Sequence, residues 1–274
     1  MNTLAYLGQN LAAAVAVLNK RCLAAYGYTL MANMLPIILR RSLRPADTDF
    51  MKNRSLLKVK SIGGQIILKQ PDFSLVRELY GRNIYFPQAG FIPPARSKVV
   101  DLGANVGLFS ILCARLGADV LAVEAQSGFI EIARSNFALN DVETRIQLIH
   151  AMVGSSSGVF SQKESRKSSS HWIDDPPEVS MDNLLNGFLY GHQPIIHLLK
   201  IDIEGSEFDL FANHTDWLDK VRNISMEVHP EFGDVTILRD RIEKLGFECN
   251  VLPSWRESGT LKRYPGFLFA SRIS

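Results

Sequence analysis

Residues Val99-Val100-Asp101-Leu102-Gly103-Ala104-Asn105-Val106-Gly107-Leu108-Phe109-Ser110 decide the fold of this chain. The β-branched pair at the start is typical of a buried strand. Gly103 and Gly107 permit a tight turn and a close backbone approach to a ligand that a Cβ atom would block. A strand, a glycine loop and a helix in this order predict an open α/β sheet, in which ligands bind at the carboxyl ends of the strands. The stretch therefore indicates a nucleotide-type cofactor site.

The spacing of the glycines narrows the choice of cofactor. It is G-x-x-x-G with Asn105 between the glycines, whereas a dinucleotide site needs G-x-G-x-x-G to hold a pyrophosphate. The next predicted strand ends in Glu124, and a carboxylate there can accept hydrogen bonds from both hydroxyls of a ribose. S-adenosylmethionine fits this pattern better than NAD. The alternative is an ordinary βαβ unit whose glycines serve packing, and the loop alone leaves the two interpretations even.

Three further motifs follow in order, and they favour the cofactor interpretation. They are Ser180-Met181-Asp182-Asn183-Leu184, Lys200-Ile201-Asp202-Ile203-Glu204-Gly205-Ser206-Glu207 and Glu227-Val228-His229. Together with the glycine loop they resemble the FkbM family of S-adenosylmethionine-dependent methyltransferases over residues 72–252. The chain departs from the family pattern at Ala125-Gln126, where the family more often has Pro after the acidic residue. The first 60 residues carry no family signal.

The resemblance implies the α/β fold of class I methyltransferases, a Rossmann-like seven-stranded sheet with helices on both faces. The implied strand order is 3-2-1-4-5-7-6, with the seventh strand antiparallel. The resemblance also implies O-methylation of a hydroxyl on a sugar, a glycan or a secondary metabolite. N-methylation is the enzymatic alternative, and a non-catalytic ligand- or membrane-binding protein on the same fold is the other.

The pattern of strands and helices divides the chain into an N-terminal helical and β-hairpin appendage, residues 1–71, and a methyltransferase domain, residues 72–274. The hairpin is expected at 56–62 and 65–68, with Gly63-Gly64 as its turn and outside the main sheet. Asp72 and Ser74 predict the start of a short helix. The sheet domain is expected to contain strands 98–101, 119–124, 146–150, 195–202 and 223–229, helices 107–116, 127–139, 206–212 and 234–245, and an antiparallel edge pair, 247–252 and 266–271.

The candidate catalytic residues follow two of these strands. A hydroxyl that accepts a methyl group benefits from a base, and His229 is ranked slightly ahead of Asp202 because an imidazole titrates near neutral pH. Glu204 and Glu227 are expected to contact the acceptor. Asp202, Glu204 and Glu227 could hold Mg²⁺, whose hard character favours carboxylates, but the spacing does not predict a metal site.

The remaining candidates bind the cofactor or the acceptor. Asp101 is expected to organise the loop or to contact the methionine ammonium group, and the end of the third strand is expected near adenine. Asp182 is a candidate acceptor contact, with a helix N-cap as the alternative. His171-Trp172 lies in a loop rich in Ser, Pro and charge that could cover the acceptor. The predicted cofactor residues are Asp101, Gly103, Ala104, Asn105, Gly107, Glu124, His150 and Ala151.

Composition sets the broader limits. The 274 residues, 46% of them hydrophobic, suffice for one large α/β core with an appendage. The three cysteines lack C-x-x-C spacing, which predicts neither a disulfide framework nor a zinc cluster and agrees with a cytoplasmic setting. We expect a small-molecule or glycan acceptor and no nucleic-acid partner, and the sequence leaves the oligomeric state open.

Charge is distributed unevenly along the chain. Residues 1–60 contain nine Lys or Arg against two Asp or Glu, although the net charge of the whole chain is only +2. Residues 22–39 carry no charge, but Gly27, Asn33 and Pro36 interrupt them, which favours two packed or interfacial helices over one membrane span. Peripheral contact with anionic lipid through this basic arm is one expectation, and a solvated surface is the other.

Overall fold

The computed structural model describes residues 3–153, 176–189, 195–212, 214–252 and 266–273. The N-terminal part contains four helices, followed by an antiparallel hairpin that forms a sheet of its own. A hairpin outside the main sheet was the sequence prediction, and it is confirmed. These elements are α1 (Thr3–Val17), α2 (Lys20–Ala32), α3 (Met34–Arg40), α4 (Arg44–Met51), β1 (Leu56–Ser61) and β2 (Gly64–Lys69).

The turn of the hairpin differs from the prediction. Ser61 pairs with Gly64, so the two turn residues are Ile62 and Gly63 rather than Gly63 and Gly64. Position 64 still requires glycine, because its φ is +92°, a conformation that residues with a Cβ atom disfavour. The sequence offered two adjacent glycines, and the pairing register places the turn one residue earlier.

A seven-stranded sheet forms the centre of the molecule. The strands are β3 (Lys98–Leu102), β4 (Asp119–Glu124), β5 (Ile146–His150), β8 (Ile196–Ile201), β9 (Val221–Val228), β10 (Phe247–Leu252) and β11 (Gly266–Arg272), and the short strands β6 (Met152–Val153) and β7 (Glu178–Val179) pair separately. The order in the sheet is β5-β4-β3-β8-β9-β11-β10, and all neighbours are parallel except that β11 runs antiparallel to both β9 and β10. This is the class I methyltransferase order expected from the resemblance.

Helices connect the strands and cover the sheet. Asp72 caps the first of them by accepting a hydrogen bond from the Ser74 backbone N–H at 2.8 Å, as the sequence predicted, and this helix continues into a π-helical turn, Arg77–Gly81. The last helix ends before Gly246, whose φ is +87°. The helices are α5 (Phe73–Val76), α6 (Leu108–Arg115), α7 (Ser127–Ala138), α8 (Met181–Phe188), α9 (Glu207–Leu210) and α10 (Val235–Lys244).

The appendage and the sheet domain share one hydrophobic core. The same buried cluster contains Val17 of α1, Leu57 of the hairpin and Ile111 of α6. A buried ion pair also joins the two parts, because Arg77 Nη2 lies 2.7 Å from Asp47 Oδ2. The boundary at residue 72, which the order of strand and helix signals predicts, stays a prediction.

The uncharged segment forms two helices, α2 and α3, as the sequence predicted. Asn33 lies between them, and their axes are bent by 70°. Within the described residues no single helix is both long enough and apolar enough to cross a membrane, although this bent pair together reaches the required length and composition.

Candidate active site

The glycine loop packs against the neighbouring motif. Gly103 has a φ of +77°, and a Cβ atom there would lie 1.8 Å from the Asp202 backbone oxygen. A Cβ atom on Gly107 would lie 2.3 Å from the Phe137 ring. The sequence interpretation that these glycines make room for a ligand is therefore incomplete. Both are required because other parts of the protein occupy the space of a side chain.

A buried lysine fastens the two motifs to each other. Lys200 donates hydrogen bonds from Nζ to the backbone oxygens of Leu102 at 3.2 Å and Gly103 at 2.7 Å. Its charge is balanced by Asp101 Oδ1 at 3.2 Å and by Asp202 Oδ2 at 3.7 Å. Burial alone would lower the pKa of Lys200, but these carboxylates outweigh it and raise that pKa above its usual value. Lys200 is therefore a cation that sets the position of the loop.

Asp101 contacts residues that hold the glycine loop in place. Its side chain has no exposed surface, it accepts a hydrogen bond from Ser110 Oγ at 2.6 Å, and it does not line the pocket described below. Lys200 and Ser110 already contact its carboxylate, and its role as a cofactor contact stays a prediction. The alternative that it organises the loop agrees with these contacts.

Glu124 lies at the end of β4 and closes the other side of the loop. Its two carboxylate oxygens accept hydrogen bonds from the backbone N–H groups of Asn105 at 2.6 Å and Gln126 at 2.7 Å. Burial raises the pKa of Glu124, and the two hydrogen bonds from the backbone N–H groups offset part of that rise. A carboxylate has about four acceptor positions, so two remain for a ligand.

A pocket opens between the glycine loop and the Lys200–Glu207 motif, at the carboxyl ends of the parallel strands. Four of the eight predicted cofactor residues line it, namely Gly103, Asn105, Glu124 and Ala151. The other ten lining residues are Leu102, Val123, Ala125, Gln126, Met152, Val153, Asp202, Ile203, Glu204 and Ser206.

Ala104, Gly107 and His150 do not line this pocket. Ala104 is buried and donates its backbone N–H to Val123 O at 3.0 Å. His150 lies with Nε2 3.1 Å from Ala125 O. Ala104 and Gly107 shape the loop and His150 supports the pocket wall, and a contact of these residues with the cofactor stays a prediction.

The charge of the pocket lining fits a cationic cofactor. Glu124, Asp202 and Glu204 line it, whereas none of the described lining residues is Lys or Arg. The sulfonium and ammonium groups of S-adenosylmethionine are cations, and a carboxylate at the Glu124 position suits ribose hydroxyls. A pyrophosphate would meet these carboxylates without a compensating cation. The residues present therefore fit S-adenosylmethionine and do not fit a dinucleotide.

Tyr85 joins the two strand ends that carry the candidate catalytic residues. Its hydroxyl oxygen lies 3.2 Å from Asp202 Oδ2 and 3.3 Å from Glu227 Oε2. One hydroxyl proton cannot serve two carboxylates, so the arrangement favours a proton on one of them. Burial, with repulsion from Asp202, raises the pKa of Glu227 to about 8. Glu227 is thus the protonated member at neutral pH.

His229 is held between two glutamates. Glu207 has no exposed surface and accepts hydrogen bonds from the His229 backbone N–H at 2.7 Å and from Nδ1 at 3.0 Å, while Nε2 lies 3.7 Å from Glu204 Oε2. Burial alone would lower the pKa of His229, but its hydrogen bond and ion pair with Glu207 raise that pKa to about 10. The imidazole is therefore protonated at neutral pH, which argues against the predicted role of His229 as the base.

Asp202, Glu204 and His229 also have the spacing of a cation site. Each offers one ligand atom, and these atoms lie within 4.8 Å of one another. The trio differs from the Mg²⁺ set considered from the sequence, because His229 stands in place of Glu227. A carboxylate bound to the far ring nitrogen, as Glu207 is here, is typical of histidines that hold metals.

The remaining acceptor candidates lie elsewhere. Asp182 Oδ2 is 3.0 Å from His214 Nε2 in a separate cleft, so the structure does not bring Asp182 to the cofactor pocket. Its alternative role as the helix cap is also wrong, because Ser180 caps α8 by accepting a hydrogen bond from the Asn183 backbone N–H. His171-Trp172 lies outside the described residues.

The sheet order and a pocket of this position and charge define the class of protein, a class I methyltransferase. A family model, the methyltransferase FkbM domain, matches residues 101–249, more than half of the chain. The chain therefore belongs to the FkbM methyltransferase family, and S-adenosylmethionine is its methyl donor.

Solved structures of other methyltransferases superpose on this chain at low identity. An rRNA methylase from Streptococcus thermophilus is 11% identical, with a TM-score of 0.43 over 68% of this chain and 92% of the other. A precorrin-6y C5,15-methyltransferase from Geobacter metallireducens is 13% identical, with a TM-score of 0.41 over 68% and 84%. An O-methyltransferase from Bacillus cereus in complex with SAH is 18% identical, with a TM-score of 0.40 over 64% and 74%.

Sequence reasoning missed three residues that organise this site: Tyr85, Lys200 and Glu207. Lys200 and Glu207 belong to the quoted Lys-x-Asp-x-Glu-Gly-x-Glu motif. A lysine inside an apolar strand indicates a buried ion pair, because a buried charge needs an oppositely charged partner. Tyr85 precedes the first core strand and lies 117 positions from Asp202 in sequence. No local pattern marks such a contact.

Proposed function

We propose that the protein methylates a hydroxyl oxygen on a sugar, a glycan or a secondary metabolite. The observation that carries this proposal is the placement of Asp202, which lines the cofactor pocket and has both Tyr85 and Lys200 beside its carboxylate. A hydroxyl must lose its proton as its oxygen is methylated, and a carboxylate at that point can accept it. A neutral amine needs no such base before it attacks, so this arrangement favours oxygen over nitrogen.

Asp202 is the better candidate for the base, and His229 is the better hydrogen-bond donor. His229 carries a proton at neutral pH because Glu207 and Glu204 flank it. Its Nε2–H can therefore donate to a second oxygen of the acceptor while Asp202 takes the proton of the first. A pair of neighbouring donor and acceptor groups is well suited to adjacent hydroxyls.

S-adenosylmethionine supplies a methyl group on a positively charged sulfur. As the new oxygen–carbon bond forms and the carbon–sulfur bond breaks, the hydroxyl proton passes to the Asp202 carboxylate. Tyr85 and Lys200 are positioning residues in this scheme, since they contact the carboxylate and neither lines the pocket. Alignment of the reacting atoms supplies most of the rate enhancement expected for such a displacement.

The charge of the site also supports the choice of acceptor class. Asp202 and Glu204 line the pocket, and phosphate groups of a nucleic acid would be repelled by them. Uncharged hydroxyl compounds carry no such penalty. We therefore propose an acceptor without phosphate at the methylated position and no nucleic-acid partner.

The test uses the full-length protein with methyl-labelled S-adenosylmethionine and separate panels of sugars, glycans, phenols and amines. We expect label in a methyl ether, identified by mass spectrometry. For that acceptor, Asp202→Asn should lower turnover by about 10²–10⁴-fold, the range for loss of a general base. Its dissociation constant for S-adenosylmethionine should stay close to that of the wild type. Asp216→Asn, at an 87% exposed side chain, is the matched control and should keep normal turnover.

Three outcomes would contradict the proposal. Label on an amine nitrogen would identify an N-methyltransferase, and cofactor binding without transfer to any panel would favour a non-catalytic protein. Loss of turnover in a chelator, with recovery on adding Mg²⁺, would assign Asp202, Glu204 and His229 to a metal ion instead of direct proton transfer. Chelator-resistant turnover is the expected result.

A further inference from the structure

Helices α2 and α3 carry a group of six exposed apolar side chains, which we call the apolar patch. The opposite side of the pair is packed into the molecule, because Tyr26, Thr29 and Ile37 are buried. The helices are thus anchored by one face and leave the other uncovered. The apolar patch consists of Tyr28, Met31, Met34, Leu35, Ile38 and Leu39, whose exposed fractions lie between 61% and 74%.

This concentration is unusual for a protein surface. Single exposed apolar residues are common, but large contiguous apolar surfaces mark sites of protein or membrane interaction. Six large apolar side chains lie within twelve consecutive residues here. Elsewhere in the described chain, residues such as Leu75, Ile92 and Ile237 are exposed singly. The patch therefore needs an occupant.

Positive charge surrounds the apolar patch. The residues Lys20 and Arg21 begin α2, and Arg40, Arg41 and Arg44 follow at the far end of α3, all of them exposed. Residues 1–46 contain no Asp or Glu. None of the five cations forms an ion pair with an acidic side chain of the described residues. An apolar surface framed by Lys and Arg is the pattern of helices that lie in the headgroup region of a bilayer.

We propose that the apolar patch docks this enzyme on an anionic lipid bilayer. The apolar side chains enter the boundary between headgroups and acyl chains, and the five cations contact lipid phosphates and carboxylates. A second copy of this chain fits less well, because two such surfaces facing each other would bring ten like charges together. An acidic protein surface would satisfy the cations but would place charge against the six apolar side chains. The proposal is independent of which acceptor is methylated.

The test is cosedimentation of the full-length protein with vesicles of phosphatidylcholine and phosphatidylserine, and with vesicles of phosphatidylcholine alone. We expect binding to the anionic vesicles that is at least about tenfold stronger than to the neutral ones and that weakens as salt is raised. Leu35→Ser with Leu39→Ser removes two exposed patch residues, and Arg40→Gln with Arg44→Gln removes two cations. Each pair should lower binding by about tenfold or more.

Ile237→Ser is the matched control, because Ile237 is 54% exposed on α10 and lies outside the apolar patch. It should bind vesicles as the wild type does. Equal binding by wild type and both paired variants, or absence of binding to anionic vesicles, would overturn the proposal. So would a concentration-dependent dimer that Leu35→Ser with Leu39→Ser abolishes, because the occupant would then be a second copy. Unchanged circular dichroism and melting temperature in the variants exclude misfolding as the cause.

Discussion

Glu124 illustrates how single residues prepare this site. Its carboxylate is held by the amides of Asn105 and Gln126, so its orientation is fixed before a ligand binds. Preorganised hydrogen bonds to a charged acceptor are stronger than those between neutral groups. Gly103 contributes at the same scale, because the backbone carbonyl of Asp202 fills the place of a side chain. Both residues can be identified from sequence, but their partners cannot.

We predict that Glu124→Gln weakens binding of S-adenosylmethionine. Removing hydrogen bonds to a charged acceptor costs about 1.5–3 kcal/mol, which corresponds to a rise in Kd of roughly ten- to 150-fold. Isothermal titration calorimetry measures the change. Glu131→Gln removes the same charge from an exposed site on α7 and should leave Kd unaltered. An unchanged Kd in folded Glu124→Gln would remove this residue from the ribose-binding role.

Glu227 and His229 give the molecule a pH-dependent stability with a defined sign. The folded pKa of Glu227, about 8, lies above the ordinary glutamate pKa of 4.5, and that of His229, about 10, lies above the ordinary histidine pKa of 6.5. In both cases folding favours the protonated form. The stability contribution of Glu227 is therefore complete below pH 4.5 and lost as pH rises to 8, and that of His229 is lost between 6.5 and 10.

We predict that Glu227→Gln gains stability relative to the wild type as pH is raised from 5 to 8, because glutamine does not ionise at this half-buried position. The measurement is the difference in the free energy of urea unfolding between the two proteins at each pH. Glu248→Gln, at an exposed position on β10, is the control and should show a constant difference. A constant difference for Glu227→Gln as well would refute the raised pKa.

At the scale of elements, two asparagines attach the hairpin to α7 and to the turn after it, with Asn136 in the helix and Asn140 in the turn. The side-chain amide of Asn140 both accepts from the Ile67 backbone N–H at 2.9 Å and donates to the Ile67 carbonyl at 2.7 Å, and Asn136 accepts from the Lys69 backbone N–H at 2.7 Å. The backbone groups of Ile67 and Lys69 on the free edge of β2 thereby form hydrogen bonds with side chains instead of with another strand. Such covering prevents unwanted pairing of an exposed edge.

We predict that Asn140→Ala destabilises the protein by about 1–3 kcal/mol, because the partly buried amide and carbonyl of Ile67 lose their partners. Urea unfolding measures this cost. Asn183→Ala, at an exposed position on α8, is the control and should change stability by less than about 0.5 kcal/mol. A cost for Asn140→Ala as small as that of the control would show that water replaces the asparagine without loss.

Elements were predictable from sequence to a greater degree than the contacts between them. Strands 119–124, 146–150 and 247–252 have the predicted bounds, because each is a short run of apolar or β-branched residues next to a turn or helix signal. The helix expected at 206–212 is only Glu207–Leu210. Half of the predicted cofactor residues line the pocket, since the motif specifies the loop but not which side chains turn inward. Tyr85 and the pairing of His229 with Glu207 depend on tertiary packing, which no local pattern encodes.

At the scale of the whole molecule, the appendage is built into the sheet domain. Asp47 of α4 accepts hydrogen bonds from Tyr26 at 2.7 Å and from Arg77 at 2.7 Å, and all three residues are buried. Arg77 belongs to the turn after the predicted boundary at residue 72, and Tyr26 to the helix that carries the apolar patch. The patch is therefore supported by the same core that supports the cofactor loop, and both should unfold together.

We predict that Asp47→Asn lowers the stability of the entire protein by about 3–5 kcal/mol, because it leaves the buried Arg77 charge without its ionic partner. Trp217 is buried beneath the main sheet, and the two other tryptophans, Trp172 and Trp255, also belong to residues 72–274, so tryptophan fluorescence reports on this part of the chain. Far-ultraviolet circular dichroism follows all helices. If the appendage and the sheet domain form one cooperative unit, both signals shift together to lower urea concentration. Asp240→Asn breaks an ion pair whose side chains are more than 40% exposed, and it should cost no more than about 1 kcal/mol. An Asp47→Asn protein in which circular dichroism shows an early transition while the tryptophan fluorescence transition keeps its wild-type midpoint would instead establish residues 1–71 as a separate folding unit.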